Sequence, residues 1–418
     1  MRLIVALLTI ATAGASSEAA RTMCNSDGDC SLNGACQGGR CACQRPWTGA
    51  HCQVLEIVPS RRLATGWAAA YGHTPNVSSW GGSAVRGEDG LWHMFVAEDG
   101  GNTSCGLHAW QHNSRLAHAT APSALGPYQR RDIAVTRESQ GPEVHRINGS
   151  WYLLHTGVGE MATPPVQCTP DGPDKPPPLP AVEPTVEAGG SLLQRATSPG
   201  GPWTPVENSP RCNNPAAAVS QTDGYIYLLC HNGGSLQIQR AATPEGPWSA
   251  AIPLNITGKP ADHVWEDPVM YEDQRGNWHI ICHSWNNKPW PSNTISGHAF
   301  AARPLSDDLT QSDWRSLAAE PFDNVVHFTD GSSKRFATLE RPKLIFSAAG
   351  VPSHLISAAC PAWDFDGAWA TPCAQCQTAG GPGLFKNGTR KTEEPFGAVP
   401  HPLTPTCTQT TSIRRLLT

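Results

Sequence analysis

Apolar and aromatic runs separated by Gly- and Pro-rich turns organise most of the chain. Between residues 80 and 360, a turn glycine is followed five times by a short run rich in apolar and aromatic side chains. These runs begin at Gly90, Gly149, Gly224, Gly276 and Gly350. Short runs of this composition, bounded by Gly and Pro, are typical of β-strands. The pattern therefore predicts a series of β-hairpins.

Two further phrases recur around these hairpins. An x-Pro pair stands seven to nine residues before four of the glycines, and Gly81-Gly82 takes its place in the first repeat. The pairs are Gly141-Pro142, Asn214-Pro215, Asp267-Pro268 and Arg341-Pro342. Downstream, a Gly-Pro turn leads to Tyr128, Trp203 and Trp248, with a degenerate copy ending at Trp314. Each unit is thus predicted to hold three or four strands.

Repeats of this size, at intervals of roughly 50–75 residues, favour a β-propeller. One small sheet cannot bury both of its faces, whereas sheets stacked radially bury one another. Five units predict an all-β protein whose five-bladed β-propeller covers residues 75–360. The alternative is a β-sandwich, whose strands would not need the same three-part sequence motif to recur along the chain.

Composition agrees with this fold class and narrows the function. Gly (40) and Pro (38) are abundant and only 16% of the 418 residues are charged, which disfavours long helices and disorder. The net charge of −5 gives no support for binding to nucleic acid. Pro-rich residues 169–187 are predicted to be an insertion in the second blade. Residues 361–418 are predicted to be a Gly/Pro-rich tail tied by disulfides.

The first 15 residues have the layout of a signal peptide. An apolar run at residues 3–13 follows Met1-Arg2 and ends in the small residues Ala13-Gly14-Ala15. The alternative, a membrane anchor, is disfavoured because spanning a bilayer takes about 20 residues. The 15 cysteines suit an oxidising compartment. We therefore predict a secreted, extracellular protein without a membrane span. Its glycosylation acceptors would be Asn76, Asn102, Asn148, Asn255 and Asn387.

Six cysteines crowd into residues 24–52 with the spacing C-x5-C-x5-C-x4-C-x-C-x8-C. So few residues cannot bury a core and need bridges, but spacing alone leaves many connectivities open. A zinc site is disfavoured by the secretory context and by the lack of paired C-x2-C units. The pattern, with Trp47 and Gly49 in the last loop, resembles an EGF-like domain over residues 22–53. This resemblance implies the pairs Cys24–Cys36, Cys30–Cys41 and Cys43–Cys52, and a contact with an extracellular protein.

The x-Pro pairs mark the start of each predicted inner strand, where side chains from different blades would converge at one mouth of the central channel. Glycoside hydrolysis needs two carboxylates about 5–9.5 Å apart. The catalytic hypothesis therefore assigns acid and base roles to Glu266, Asp267 and Glu340. The predicted substrate-binding residues at the same mouth are Glu143, His145, Asn214, His283 and Arg341. The structural alternative is that the Asp-Pro pairs at the start of strands cap turns, and that neighbouring Glu and Arg side chains neutralise each other.

Aromatic and metal-ligating residues complete the candidates. Trp80, Trp265, Trp285 and Trp290 break the repeat, and we predict that they form a carbohydrate platform, whereas repeated tryptophans are assigned to packing. His231 and His283 occupy equivalent positions, each preceded by a cysteine. A metal site there is disfavoured because no short His-x-His or Cys-x-x-Cys spacing accompanies them, so no metal is predicted.

Together, the repeat phrases over roughly residues 75–360 resemble the arabinanase/levansucrase/invertase-like superfamily, and in particular glycoside hydrolase family 43. That family places a base Asp, a pKa-tuning Asp and an acid Glu on the first, second and third blades. Here residues 79–82 hold no acid, Glu143 follows Gly141-Pro142, and Asn214-Pro215 holds no acid.

The resemblance implies a secreted, glycoside hydrolase-like protein that binds a polysaccharide and, if active, hydrolyses it. It allows a structural calcium ion, although no cofactor is predicted. The alternative is a non-catalytic adhesion or recognition protein that uses the EGF-like and propeller surfaces.

Overall fold

The structure is a computed structural model that covers the N-terminal cysteine-rich module and the repeats. The described residues are 24–61, 69–71, 78–99, 113–136, 139–157, 168–169, 172–173, 193–210, 212–232, 235–286, 296–302, 313–361 and 410–417. Several predictions concern residues outside these ranges, namely the signal peptide, most of the Pro-rich insertion, most of the tail, Trp290, Asn76, Asn102 and Asn387.

Antiparallel sheets account for nearly all regular structure, and five of them correspond to the predicted units. Blade 1 comprises Ser78–Arg86, Trp92–Asp99, Ser114–Ala121 and Gln129–Val135. Blade 2 comprises Gln140–Ile147, Ser150–Thr156, Leu193–Ala196 and Thr204–Pro205. Blade 3 comprises Ala216–Val219, Ile226–Asn232, Ser235–Ala241 and Ile252–Pro253. Blade 4 comprises His263–Glu272, Trp278–Asn286, Ser296–Ala301 and Trp314–Arg315, with Ile256–Thr257 added in parallel at its edge.

Blade 5 draws on both ends of the described chain. It comprises Ser333–Phe346, Pro352–Pro361, Thr410–Arg415 and Ala69–Tyr71, and Val325–His327 pairs with the beginning of its first strand. The propeller sheets therefore extend beyond the predicted range of 75–360, and Thr410–Arg415 lies in the segment predicted as a tail. These two strands carry none of the Gly-aromatic phrases, so the repeat pattern could not reveal them.

The first strand of each blade contacts the first strands of both neighbouring blades, which closes a ring around a central hub. The predicted five-bladed β-propeller is therefore confirmed. Its apolar core is divided among the blade interfaces, each of which holds one cluster of buried side chains. Phe95 and Leu153, for example, meet between blades 1 and 2. Burying both faces of each small sheet in this way is what makes the closed ring stable.

A single lysine ties the blades together inside the hub. Lys343, on the first strand of blade 5, is buried and donates hydrogen bonds to the backbone carbonyls of Pro215 (2.9 Å) and Pro268 (2.8 Å). Its ammonium also binds the carboxylate of Glu143, which accepts a hydrogen bond from the N–H of Ala217 at 2.8 Å. This cluster, here called the hub lock, therefore joins blades 2, 3, 4 and 5.

The N-terminal module contains the 3₁₀ helix Asp27–Cys30 and two small strand pairs. The pairs are Gly34–Gln37 with Arg40–Cys43, and Trp47–Thr48 with Val54–Leu55. Its disulfides are Cys24–Cys36, Cys30–Cys41 and Cys43–Cys52, which confirms the predicted EGF-like pairing. A further disulfide joins Cys212 to Cys230, and Cys282 is a buried free thiol.

The module is docked against the propeller. The Trp47 ring stacks on His298 of blade 4 with ring centroids 4.8 Å apart. The Arg275 guanidinium lies 3.4 Å from the carboxylate of Asp27 and donates to the carbonyl of Gly34 at 3.2 Å. Apolar side chains of the module also share a core cluster with blades 4 and 5. Within the described residues, no helix combines the length and apolarity needed to cross a membrane.

Candidate functional site at the hub

One residue within each blade's first strand, or just before it, adopts a left-handed backbone conformation. The five residues are Gly81, Gly141, Asn214, Asp267 and Arg341, with φ between 48° and 78°. In blades 1, 2, 4 and 5 the strand register shifts at this position, as expected for a β-bulge. Bulges redirect side chains and are common beside active sites.

Three of these five residues are not glycine, so their conformation is strained. A left-handed conformation costs a non-glycine residue roughly 1–2 kcal/mol, and a following proline restricts the backbone further. Asn and Asp tolerate it because their short side chains form local hydrogen bonds, whereas Arg has no such compensation. Strain of this kind clusters at functional sites. The propeller therefore keeps strained polar residues at the hub.

The bulge residues of neighbouring blades meet at one mouth of the hub. The Nε of Arg341 lies 3.7 Å from Oδ1 of Asp267, and its Nη2 donates to Oε1 of Gln140 at 2.9 Å. The N–H of Asn214 donates to Oγ1 of Thr156 at 2.8 Å. A Cβ atom added to Gly81 would lie 3.0 Å from the Arg341 side chain. Glycine in blade 1 thus leaves the space that Arg341 occupies.

His283, on the second strand of blade 4, lies between two carboxylates. Its Nδ1 is 3.3 Å from Oε1 of Glu266, and its Nε2 is 3.9 Å from Oε1 of Glu340. Burial lowers the pKa of this histidine, but the negative charges of Glu340 and Glu266 outweigh burial and raise it to about 9. His283 is therefore an imidazolium at neutral pH.

The pKa values of Asp267 and Glu266 at this mouth are shifted in opposite directions. Burial raises the pKa of Asp267, and this outweighs the opposing charge of Arg341. Burial also raises the pKa of Glu266. The hydrogen bond between Glu266 and His283 and the charge of His283 outweigh burial, so the pKa of Glu266 is lowered overall. Asp267 is 6% exposed, whereas the side chains of Glu266 and Glu340 are 27% and 22% exposed. Neighbouring carboxyls with opposite shifts are suited to separate acid and base roles.

The same residues are the hub's candidate metal ligands. Donor atoms of Glu266, Asp267 and His283 all lie within 4.8 Å of one another. Calcium prefers six to eight oxygen ligands, and any metal needs a neutral imidazole. Here the imidazole is protonated, and Arg341 competes for Asp267. These residues therefore fit an ion-pair network better than the calcium site that the family resemblance allows.

Two predicted substrate-binding residues lie elsewhere. Glu143 is buried in the hub lock, and His145 pairs with it through a 2.7 Å contact between Nε2 and Oε1. Both line a cavity of about 330 Å³ that does not include the bulge residues. They follow the blade 2 bulge, which places them farther along the channel. Their assignment to the same mouth as Asp267 is therefore corrected.

The predicted aromatic platform is also revised. Trp80 and Trp265 are only 5% and 3% exposed, so their ring faces cannot stack on a sugar. Trp265 packs so closely over Gly297 that a Cβ there would lie 2.6 Å from its ring. A tryptophan outside the repeat can thus still belong to the core. Trp285 is half-buried, and its indole N–H has no acceptor among the described residues.

His231 is a site residue that the sequence analysis considered only as a metal ligand. Its Nε2 is buried without a hydrogen-bond partner in the described part of the chain, and its charge is one of the factors that lower the pKa of Glu266. It occupies in blade 3 the position that His283 occupies in blade 4, seven residues after the hairpin glycine. That equivalence was the available signal. Of the predicted glycosylation acceptors that the structure describes, Asn148 and Asn255 are both exposed.

Comparisons with known proteins match both parts of the chain. Residues 26–55 match the Teneurin-like EGF domain family. No curated protein matches the chain as a whole. Similar solved structures include the catalytic domain of a GH62 alpha-L-arabinofuranosidase from Coprinopsis cinerea, with 12% identity, a TM-score of 0.47, and coverage of 77% of this chain and 94% of that chain.

Two further solved structures are similar at the same level. An alpha-L-arabinofuranosidase from Lactobacillus brevis has 10% identity and a TM-score of 0.46, covering 81% of this chain and 90% of that one. A thermostable family-43 glycoside hydrolase has 13% identity and a TM-score of 0.42, with coverage of 73% and 87%.

Proposed function

We propose that the protein is an extracellular, carbohydrate-active propeller that binds a glycan at the hub mouth and hydrolyses a glycosidic bond there. One observation carries the proposal: Glu266, Asp267 and Glu340 from adjacent blades converge beside an imidazolium and a guanidinium. Cleavage of a glycosidic bond needs two carboxyl groups in different protonation states.

In this proposal Asp267 is the general acid, because its raised pKa favours the protonated form. It gives its proton to the leaving-group oxygen as the bond to the anomeric carbon breaks. Glu340 is the general base, which takes a proton from the attacking water. Glu266 and Glu340 hold His283 in its charged form, and that charge fixes Glu340 in place.

Unused hydrogen-bond donors at the hub support a polyhydroxylated ligand. Nε and Nη1 of Arg341 and Nε2 of His231 are buried and have no hydrogen-bond partner among the described residues. Leaving such groups unpaired costs about 1–3 kcal/mol each. Sugar hydroxyls and ring oxygens are acceptors that could satisfy them.

The test is hydrolysis of arabinan, xylan, fructan and sulfated galactan oligosaccharides, followed by chromatography of the products. Asp267→Asn and Glu340→Gln should each lower kcat by roughly 10²–10⁴, the usual contribution of a general acid or base. Glu207→Gln, a change at an exposed acid that has no contact with the residues described at the mouth, should leave activity unchanged. Full activity in either of the first two variants would refute the catalytic roles.

A second candidate function is recognition without turnover, and one observation favours it. The bulge positions of blades 1 and 2 are Gly81 and Gly141, so these blades place no carboxylate there. In that case oligosaccharides would bind to the wild type and to Glu340→Gln equally, and no product would form. Oligosaccharide binding measured by calorimetry with no product formed therefore supports recognition, whereas product formation supports hydrolysis.

Secretion is part of the proposal. The disulfides and the EGF-like module suggest an extracellular protein. Expression of the full chain in a secretory host should deliver protein to the medium that begins after Ala15. Detection of an intact Met1 in secreted protein would exclude cleavage of residues 1–15.

A further inference from the structure

A cavity of about 380 Å³ lies at the seam between the EGF-like module and blade 5. One wall is the end of the module and the segment that follows it, including Val54, Leu55 and Val58. The opposite wall contains Phe322 and Val326, and Arg414 also lines the cavity. This seam cavity shares none of its lining residues with the hub mouth.

Arg414 brings unsatisfied hydrogen-bond donors into this cavity. It lies on the strand Thr410–Arg415 and is 1% exposed, yet its Nε and Nη2 have no hydrogen-bond partner among the residues that the structure describes. The guanidinium stands 5.3 Å from the centre of the Phe322 ring. Burial lowers its pKa to about 10, so the group stays charged at neutral pH. The negative charge of Asp323 offsets part of the cost of this burial, but donors that lack acceptors remain unfavourable.

The remaining lining defines the ligand that would relieve this cost. Val54, Leu55, Val58, Phe322 and Val326 are apolar, so they favour a hydrocarbon body over a hydrated inorganic anion. Asp323 and Glu320 also line the cavity. Asp323 is exposed, and its carboxylate accepts a hydrogen bond from the N–H of Val325 at 3.0 Å, whereas the guanidinium is fully buried. The carboxylate of Asp323 therefore leaves Nε and Nη2 of Arg414 without an acceptor.

We propose that the seam cavity binds a small organic acid, with its carboxylate on Arg414 and its apolar body against the valine, leucine and phenylalanine side chains. Arginine suits this role because its planar fork of N–H groups matches a carboxylate. A mostly apolar pocket of a few hundred Å³ with one charged anchor is typical of small-molecule sites. Because one wall belongs to the EGF-like module, the bound acid would link that module to blade 5.

The experiment measures the thermal stability and calorimetric binding of the full chain with hexanoate, with hexanamide and with sodium chloride. Hexanoate should raise Tm in a saturable way, whereas the amide and chloride at equal concentration should not. Arg414→Met should weaken hexanoate binding at least tenfold. Because this substitution removes buried donors that lack acceptors, the variant should fold. Arg415→Met alters the adjacent exposed residue, which lines a different cavity, and should bind like the wild type.

The proposal would be overturned if hexanoate did not bind to the wild type or if hexanamide bound equally well. It would also be overturned if Arg414→Met bound hexanoate with the affinity of the wild type. If Arg414→Met fails to fold, Val58→Trp provides the same test, since a large side chain at this half-buried position fills the cavity. Equal hexanoate affinity in that variant and the wild type would also overturn it.

Discussion

At the scale of single residues, the hub mouth depends on His283 and the charges around it. Glu340, Glu266 and Asp267 all favour its protonated form, while burial opposes it. The balance leaves its pKa at about 9 in the folded protein, against about 6.5 in an unfolded chain. Folding and proton binding are therefore coupled at this residue.

The direction of this coupling gives a pH prediction. Because the folded pKa is raised, the stabilisation is complete below about pH 6.5 and is lost as the pH rises through about 9. The full shift corresponds to roughly 3 kcal/mol. Urea unfolding at pH 6, 7.5 and 9.5 should show this loss in the wild type, and His283→Gln should show a flatter profile. Parallel profiles for the two proteins would contradict the ion-pair geometry.

Arg341 offers a matched test of backbone strain. Its φ of 52° is unfavourable for any residue with a Cβ, so Arg341→Gly relieves the strain and Arg341→Ala does not. Both variants lose the guanidinium equally. We expect the glycine variant to be more stable in urea unfolding by about 1 kcal/mol. An alanine variant of equal or greater stability would show that the bulge is not strained.

Single residues were the level at which the sequence was least informative. The x-Pro pairs correctly indicated that Asp267 and Arg341 would meet, because their position in the repeat fixes their place in the ring. Sequence could not show that Glu143 would be neutralised by Lys343, since 200 residues separate the two. Trp80 and Trp265 were misassigned because departure from a repeat does not determine burial.

At the scale of elements, the hub lock joins strands that have no direct hydrogen bonds to one another. Lys343 bonds to Glu143, to the Pro215 carbonyl and to the Pro268 carbonyl from three other blades. Both charged groups are buried. Removing one partner of a buried pair leaves the other uncompensated, which costs about 3–5 kcal/mol.

Lys343→Met should therefore destabilise the protein by about 3–5 kcal/mol in urea unfolding. Adding Glu143→Gln should restore part of this loss, because the orphaned carboxylate is then neutral. A double-mutant cycle should give a coupling of at least about 1 kcal/mol. Strictly additive effects would show that the two side chains do not interact in solution.

The strands themselves were largely predictable. The Gly-aromatic motifs indicated the hairpins because a tight turn requires a residue in the left-handed conformation. The turn glycines all have φ between 73° and 81°, namely Gly90, Gly149, Gly224, Gly276 and Gly350. The strands Ala69–Tyr71 and Thr410–Arg415 were missed because neither of them belongs to a Gly-aromatic hairpin motif. Their place in blade 5 depends on ring closure rather than on local sequence.

At the scale of the whole molecule, the EGF-like module is part of the propeller's packing. Trp47 is buried against His298, and the module shares a core cluster with blades 4 and 5. Its disulfide pattern was predictable from cysteine spacing and resemblance. Its docking was not, because Arg275 and His298 carry no sequence signal for a contact with residues 24–53.

Trp47→Ala should accordingly destabilise more than the small module. Removing a buried tryptophan costs about 3–5 kcal/mol where the gap cannot collapse. Hydrogen exchange should become faster both in the module and in the strands around Tyr271 and His298. Exchange that changes only within residues 24–55 would show that the module is not docked.

The pairing of Ala69–Tyr71 with Thr410–Arg415 has a consequence for biosynthesis. As the polypeptide leaves the ribosome, four blades are complete in sequence long before the strand that seals the fifth has been translated. Until residue 415 has emerged, Ala69–Tyr71 has no partner strand among the described residues, and the fifth blade stays incomplete beside the first. A nonsense codon near position 410 should therefore yield a truncated product that cannot complete this sheet and is degraded more readily than the full chain.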